Sequence, residues 1–275
     1  MRPRAARERV RPEEVFCTVE GMALWSTPVR EYMSHKLIST DARTPLEEAR
    51  ALLVERDVSG LVVLDQGKLV GILSTTDLLR GTMIGSHAQV AADLMTTDVA
   101  TIEEAASLRE AAKVMLARRT NRVVVLRKGV PVGVHSTRDA MRAVMLHHIE
   151  APLSRVMQTM IVTIDAEESC QTAIDRLDLE NKSGLVVVDG AKPVGAFTHT
   201  EALKARLAGP EALLAPVDTA MSYETICLEE TTPLYRAAGH AVQMGLRRIF
   251  VTRGGELVGT VTGFDLVRVM TWDTL

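Results

Sequence analysis

Hydrophobic and polar positions along the chain change their spacing in a fixed order, and this order occurs four times. A short apolar run comes first, then apolar residues three and four positions apart, then two β-branched runs around a polar turn, and finally a second segment with helical spacing. In the first copy these segments are residues 37–40, a helix from Thr44, residues 61–64, residues 69–73, and a helix through residues 77–80. The spacings predict a unit of strand, helix, strand, strand and helix.

The first helix of this copy carries a start signal and an apolar face. Thr44 is predicted to cap the helix, with Pro45 at the first helical position and Glu47 closing a capping box. The apolar face comprises Leu46, Ala49, Leu52 and Leu53. Because three short strands and two helices give one copy only a thin core, we expect the copies to pair through their sheets.

Two landmarks keep the four copies in register. One is the string Gly-x-x-[Ser/Thr]-x-x-[Asp/Glu] at the end of the last β-branched run. The other is a methionine that stands 38 residues before each of these glycines. The landmarks are Met33 with Gly71, Met95 with Gly133, Met157 with Gly195, and Met221 with Gly259. A constant interval in four copies indicates internal duplication of one structural unit.

The copies also alternate. Copies one and three carry Ser-Gly-Leu before the β-branched run, at Ser59 and Ser183, whereas copies two and four carry Arg122 and Arg248 there. This alternation indicates that a two-copy unit was itself duplicated. We therefore expect two domains, which we call module 1 and module 2, made of four units that we call repeats 1 to 4. The predicted bounds are residues 29–146 for module 1 (repeats 29–81 and 90–144) and 152–275 for module 2 (repeats 153–207 and 217–270), after an N-terminal arm of residues 1–28.

Composition narrows the class of protein. The chain is 47% hydrophobic and 24% charged with a net charge of −3, values of an ordinary soluble domain rather than of an electrostatic nucleic-acid binder. Aromatic residues make up only 3%, which argues against a base-stacking platform. No apolar run reaches the ~18 residues of a membrane span. Three cysteines without a Cys-x-x-Cys pair argue against a disulfide framework or cysteine zinc site and predict a cytoplasmic protein.

The order of elements, the period near 60 residues and the closing Gly-x-x-[Ser/Thr]-x-x-Asp string resemble CBS domains. Four in tandem resemble two Bateman modules, as in the γ subunit of the AMP-activated kinase and related archaeal proteins. The resemblance covers residues 29–270 and implies an α/β (α+β) fold of β-α-β-β-α repeats with a disc-like outline. It also implies a ligand such as AMP, ADP or ATP, less so S-adenosylmethionine, or no ligand at all.

The closing string has two interpretations that use the same atoms. In one, the hydroxyl and the acid form a capping box that begins the second helix. In the other, the helix N-terminus and hydroxyl bind phosphate, the carboxylate accepts two ribose hydroxyls, and the glycine leaves room for a ring. The resemblance places these contacts at Gly71, Ser74 and Asp77, at Gly133, Ser136 and Asp139, at Thr198 and Glu201, and at Thr262 and Asp265.

Two repeats depart from this pattern. Glu201 is one methylene longer than aspartate, about 1.5 Å, so the third cleft is expected to be empty or altered. The resemblance also assigns Thr40, Thr101 and Thr163 to an adenine pocket. Repeat 4 carries Leu228 at what we take to be the equivalent position, which weakens its expected base contact.

Phosphates need cations. By resemblance, arginines just before the second strand reach the phosphates of a neighbouring cleft, and these are Arg122, Arg247 and Arg248. Arg138, inside the string of repeat 2, is a further candidate. The alternative is that these arginines form a solvated face beside the hairpin.

The sequence contains no nucleophile–base set, metal-binding motif or P-loop, so we predict neither catalysis nor a metal requirement. Our main hypothesis is a sensor in which adenine-nucleotide occupancy controls binding of a macromolecular partner, without a membrane and with a homodimer left open. The alternative is a ribosome- or RNA-associated factor of the hibernation or translation-inhibition type, because residues 1–11 of the arm carry a local +4 charge. Its arginines are Arg2, Arg4, Arg7, Arg9 and Arg11. A third alternative is a scaffold without ligand.

Overall fold

The computed structural model describes residues 26–56, 58–83, 87–180 and 182–272. It confirms a mixed α/β fold with four three-stranded sheets, one in each repeat. In every sheet the second strand pairs parallel with the first and antiparallel with the third. The predicted order of strand, helix, strand, strand and helix is therefore confirmed.

The strands are β1 (Ser39–Asp41), β2 (Gly60–Asp65), β3 (Lys68–Ser74), β4 (Thr101–Glu103), β5 (Arg122–Arg127), β6 (Val130–Ser136), β7 (Thr163–Asp165), β8 (Gly184–Asp189), β9 (Lys192–Thr198), β10 (Ile226–Glu229), β11 (Arg248–Arg253) and β12 (Glu256–Thr262). The helices are α1 (Leu46–Glu55), α2 (Thr75–Met83), α3 (Ala91–Leu94), α4 (Leu108–Ala117), α5 (Thr137–Leu146), α6 (Cys170–Leu179), α7 (His199–Ala208), α8 (Pro210–Leu214), α9 (Leu234–Met244) and α10 (Gly263–Val269). Short 3-10 helices at Val29–Glu31, Leu153–Arg155 and Val217–Thr219 precede three of the repeats.

The predicted start of the first helix is wrong by one residue. Helix α1 begins at Leu46, and Pro45 is its N-cap with an extended ψ of 142° and no side-chain cap. The backbone carbonyl of Thr44 accepts a hydrogen bond from Ala91 at 2.9 Å instead of opening the helix. Thr44 therefore belongs to a junction with helix α3 and does not form a capping box.

The segment around the landmark methionine of each repeat, which we call its leading segment, packs against the other repeat of the same module. The sulfur of Met95, from repeat 2, lies against Gly71 of repeat 1, where a Cβ would approach it to 2.5 Å. Backbone hydrogen bonds between Thr96 and Ile72, of 2.8 and 3.0 Å, fix this contact. The other three crossings are Met33 on Gly133, Met157 on Gly259 and Met221 on Gly195. The constant methionine-to-glycine interval thus reflects contacts made between repeats.

Two apolar cores join the modules. One core is built from repeats 1 and 3, and the other mainly from repeats 2 and 4. At the second core the backbone of Gly263 lies against the side chains of Thr137 and Met141. The sequence left open whether the modules associate within one chain or between chains, and the structure shows association within the chain. Among the described residues, no helix is both long and apolar enough to cross a membrane.

Candidate functional site

Each closing string forms a capping box where the third strand of a repeat runs into a helix. In repeat 1 the backbone N–H and hydroxyl of Ser74 donate to Oδ2 of Asp77, at 2.8 and 2.5 Å. The equivalent bonds are 2.9 and 2.7 Å in repeat 2 and 2.8 and 2.8 Å in repeat 4. The capping interpretation is confirmed as local structure. It occupies one carboxylate oxygen, so any ribose contact depends on the other.

The second oxygen of the acid faces the leading segment of the paired repeat. In repeat 1, Oδ1 of Asp77 accepts a hydrogen bond from the hydroxyl of Thr96 at 3.3 Å. In repeat 4, Oδ1 of Asp265 accepts one from the side-chain amide of Gln158 at 2.7 Å. Each of these clefts is therefore built by two repeats, with the acid from one and its lining from the other.

Thr96 and Gln158 were absent from the sequence prediction. The signal that could have found them is the polar residue that follows each landmark methionine, in repeats 1 to 4 respectively Ser34, Thr96, Gln158 and Ser222. A second overlooked signal is a basic residue three positions after each acid, namely Arg80, Arg142, Lys204 and Arg268. Arg142 lies 3.9 Å from Asp139 and Arg268 lies 3.7 Å from Asp265.

Glu201 takes the place of aspartate within its own capping box. Its Oε2 accepts bonds from the backbone N–H of Thr198 at 3.1 Å and from the hydroxyl of the same residue. The Glu201 residue is buried. Its longer side chain is thus folded back onto the helix start, and an empty or altered third cleft stays a prediction.

The reason given for the glycines of the string needs correction. Gly71 and Gly133 were expected to leave space for a ligand ring. In the structure a Cβ at position 133 would lie 2.6 Å from the carbonyl oxygen of Ser34, and one at position 71 would meet Met95. The missing side chain therefore makes room for the leading segment of the paired repeat.

The strand register also corrects the assignment of Thr40, Thr101 and Thr163 to equivalent positions. Thr101 and Thr163 pair with Val124 and Val186 of their neighbouring strands, and in repeat 1 that position is occupied by Ser39. Thr40 is one residue further along, so its side chain points to the opposite face of the sheet. The equivalent of the threonines in repeat 4 is Cys227, which pairs with Phe250, and Leu228 matches Thr40. The assignment of Thr40 to the same pocket as Thr101 and Thr163 is wrong.

Arg122 occupies a place that only glycine leaves open. Its guanidinium lies over Gly60 of repeat 1, where a Cβ would come within 2.9 Å of Cζ. It donates one hydrogen bond, from Nη2 to the hydroxyl of Ser59 at 2.5 Å. The pKa of Arg122 is lowered to about 10, mainly by burial and also by the nearby charge of Arg247, while Asp77 opposes both effects. The group remains a cation at neutral pH.

Arg248 repeats this arrangement in module 2. A Cβ on Gly184 would lie 2.6 Å from Nη2 and 2.9 Å from Cζ of Arg248. Burial lowers its pKa, while the carboxylates of Asp265 and Glu201 both favour its charged form. The alternation of Ser-Gly with arginine along the chain thus reflects two contacts between equivalent positions of paired repeats. In each contact a glycine of one repeat faces an arginine of the other.

The remaining basic candidates are more exposed. Arg247 is exposed and lies within electrostatic reach of Arg122, which places a repeat 4 side chain near a repeat 2 side chain. Arg138 is exposed in the first turn of α5. Arginines 2, 4, 7, 9 and 11 of the predicted arm lie outside the described residues.

His135, inside the closing string of repeat 2, is a buried polar group. It is fully buried on β6, and Nδ1 lies 3.3 Å from the backbone carbonyl of Tyr32. Because a carbonyl only accepts, Nδ1 carries the proton, and Nε2 has no hydrogen-bond partner among the described residues. Burial lowers the pKa of His135, and Arg142 acts in the same direction, while Asp139 and the Tyr32 carbonyl oppose them.

The comparisons agree on one family. A sequence model of the CBS domain matches residues 29–83, 90–146, 153–208 and 217–271, so the chain belongs to the CBS-domain family.

Relatives extend this result. Uncharacterized protein MJ1404 of Methanocaldococcus jannaschii is 24% identical over 260 residues, covering 88% of this chain and 61% of that protein. Meiotically up-regulated gene 70 protein of Schizosaccharomyces pombe is 23% identical over 231 residues, covering 80% of this chain. The chain spans 31% of the length of that second relative. The crystal structure of MJ1225 from M. jannaschii, described as a proposed homologue of γ-AMPK, has a TM-score of 0.77 at 17% identity and covers 88% of this chain and 99% of its own. This likeness shows a shared fold.

Proposed function

We propose that this protein is a non-catalytic cytoplasmic regulator that binds an adenine nucleotide (AMP, ADP or ATP) in clefts between paired CBS repeats. Occupancy of the clefts would then change its affinity for a macromolecular partner. Ligand control of this kind typically transmits about 1–3 kcal/mol between sites.

The observation that carries the proposal is the setting of Arg248. Its side chain is half-buried over Gly184 and makes no hydrogen bond or ion pair with any residue that the structure describes, although two carboxylates lie within electrostatic reach. A cation that is partly withdrawn from water is stabilised when an anion pairs with it. A phosphate held between this guanidinium and a helix N-terminus would supply that anion.

The acids of the capping boxes favour a ribose beside the phosphate. Asp77 uses Oδ2 in its cap and receives at Oδ1 only a long hydrogen bond from Thr96, at 3.3 Å. A ribose hydroxyl could donate to Oδ1 in place of this long bond, and a charge-assisted bond contributes about 1.5–3 kcal/mol. This chemistry, together with the family, favours a nucleotide over inorganic phosphate.

The test separates ligand binding from capping. Asp77→Ala, Asp139→Ala and Asp265→Ala are each expected to weaken binding of AMP, ADP or ATP in the cleft that the substituted acid lines, about tenfold or more in calorimetric titrations. The matched control is Glu110→Ala, since Glu110 closes a capping box with Ser107 at 2.7 and 2.8 Å on a helix start away from the strings. All four variants should lose a similar stability, on the order of 1 kcal/mol.

Two outcomes would contradict the proposal. One is no thermal shift and no titration heat with AMP, ADP, ATP or S-adenosylmethionine at millimolar concentration. The other is unfolding of the three aspartate variants while the Glu110 variant remains folded without any change in binding.

The charge of residues 1–11 favours one alternative function. Residues 1–11 hold five arginines and one glutamate, a composition that favours a polyanionic partner such as ribosomal RNA. Salt-sensitive cosedimentation with ribosomes that requires these residues would favour this ribosome-associated role, with or without nucleotide.

A further inference from the structure

We propose that each module binds one phosphate-bearing ligand tightly, so that the chain has two tight sites although it has four clefts. The proposal rests on the proposed nucleotide binding and adds its stoichiometry. Its basis is that each pair of repeats contains one half-buried guanidinium packed over a glycine of the other repeat, Arg122 over Gly60 in module 1 and Arg248 over Gly184 in module 2.

The two arginines stand where equivalent positions of paired repeats meet. Gly60 and Arg122 begin the second strands of repeats 1 and 2, and Gly184 and Arg248 begin those of repeats 3 and 4. The backbone at each glycine is covered by the guanidinium of the partner repeat. A second long side chain at position 60 or 184 would collide with that guanidinium, so the packing admits one arginine at this place in each module.

The guanidinium of Arg122 is directed to the cleft of repeat 1. Its single hydrogen bond among the described residues goes to Ser59, and Asp77 is the carboxylate that favours its charged form. An arginine presents five donors, so most of them remain available for the oxygens of a phosphate.

In module 2 the guanidinium of Arg248 is shared. Both Asp265 of repeat 4 and Glu201 of repeat 3 favour its charged form. A phosphate bound in either cleft would accept the hydrogen bonds that Arg248 can donate. The other cleft would then lack the guanidinium of Arg248 as a phosphate partner. Binding in the two clefts is therefore mutually unfavourable, and one of them fills first.

The exposed basic residues near the acids do not replace Arg122 and Arg248. Arg142 and Arg268 approach their acids only to 3.9 and 3.7 Å, and their side chains are 43% and 45% exposed. Interactions of such solvated charges are screened by salt and contribute about 0–1 kcal/mol. Clefts that rely on them are expected to bind a phosphate at least tenfold more weakly.

The experiment is a calorimetric titration of the full chain with AMP at physiological salt. We expect two tight sites per chain, followed by at most a second phase with at least tenfold weaker affinity. Arg122→Gln should remove one tight site and leave the other, Arg248→Gln should do the converse, and the double variant should retain none. Arg122→Lys and Arg248→Lys keep the charge and should keep two sites, which tests the role of charge even where a glutamine variant fails to fold.

Matched controls come from the far end of the same strands. Arg127 and Arg253 end β5 and β11 and pair with Glu104 at 2.7 Å and with Glu230 at 2.6 Å on the exposed side of the hairpins. Arg127→Gln and Arg253→Gln should leave two tight sites. Four equivalent sites, or an equal loss in these controls, would overturn the stoichiometry alone. Absence of any nucleotide binding would overturn the proposed function and this proposal with it.

Discussion

Contacts with a different repeat explain the residue type at several positions of this molecule. Gly71 is flanked by β-branched residues in a strand, where a glycine is normally unfavourable. Its lack of a side chain is explained by Met95, which packs onto it from the next repeat. The methionine suits this role because its flexible thioether fills irregular space beside a backbone.

Gly71→Ala is therefore expected to destabilise the protein by about 1–3 kcal/mol, as overpacked sites do. Combining it with Met95→Ala should cost less than the two single changes together, because the truncated side chain frees the space for the new Cβ. Urea unfolding of the single and double variants measures both effects.

The control for this prediction is a glycine with room around it. A Cβ at Gly239, inside α9, would meet Met145 at an ordinary 3.6 Å. Gly239→Ala should leave stability unchanged or raise it by up to about 1 kcal/mol. Equal destabilisation at positions 71 and 239, or strict additivity with Met95→Ala, would contradict the proposed contact.

His135 links stability to pH. Its pKa is lowered in the folded state, so the unfolded chain binds more protons once the pH falls below about 6.5. The free energy of unfolding should therefore decrease as the pH is lowered through that value. The same core position holds Leu73, Phe197 and Val261 in the other repeats, so an apolar side chain fits the fold there.

In His135→Leu the loss of stability between pH 7.5 and pH 5.5 should be smaller than in the parent protein. Some acid sensitivity should remain, because burial also lowers the pKa of His199. Urea midpoints at the two pH values measure the change, and His87→Leu, at an exposed histidine, serves as the control. An unchanged pH dependence in His135→Leu would show that this histidine does not titrate on unfolding.

At the scale of elements, the order of strands and helices followed from apolar spacing alone, and their ends did not. The first strand was predicted at residues 37–40 and lies at Ser39–Asp41, because its ladder with β2 starts later than the apolar run. This shift of register is also why Thr40 was grouped with Thr101 and Thr163. Alternation along a strand gives two faces, and a sequence by itself does not say which face meets the helices.

The candidate site was predictable as far as its chemistry is local. The hydroxyl and acid of each string lie three residues apart on one helix start, so sequence spacing was enough to find them, as at Ser74 and Asp77. Thr96 and Gln158 were missed because they reach an acid 19 and 107 residues away along the chain. Such contacts depend on how the repeats pair, which periodicity does not encode.

At the scale of the whole molecule, the division into modules along the chain differs from the division into cores. Paired repeats share crossed leading segments, whereas the large apolar cores join repeat 1 to repeat 3 and repeat 2 to repeat 4. Buried residues such as Leu78 and Leu203 lie in one core, and Leu108 and Leu266 lie in the other. The helices of each module therefore pack in part against residues of the other module.

We therefore expect the chain to unfold as one cooperative unit. Differential scanning calorimetry should give a single transition whose calorimetric and van't Hoff enthalpies agree. A chain cut to module 1 alone should associate or aggregate, because its helices would present uncovered apolar faces. Two resolved transitions, or a stable monomeric module 1, would contradict this expectation.

The contact between Gly60 and Arg122 has a consequence for how such a molecule could arise. Two identical subunits related by a twofold axis must place the same residue on both sides of that axis, so neither glycine opposite arginine nor its reverse is available to them. Joining the halves in one polypeptide removes this restriction, and each side can then mutate independently. A single polypeptide with duplicated repeats can therefore hold one arginine against one glycine, an asymmetric arrangement of charge that a symmetric dimer cannot adopt.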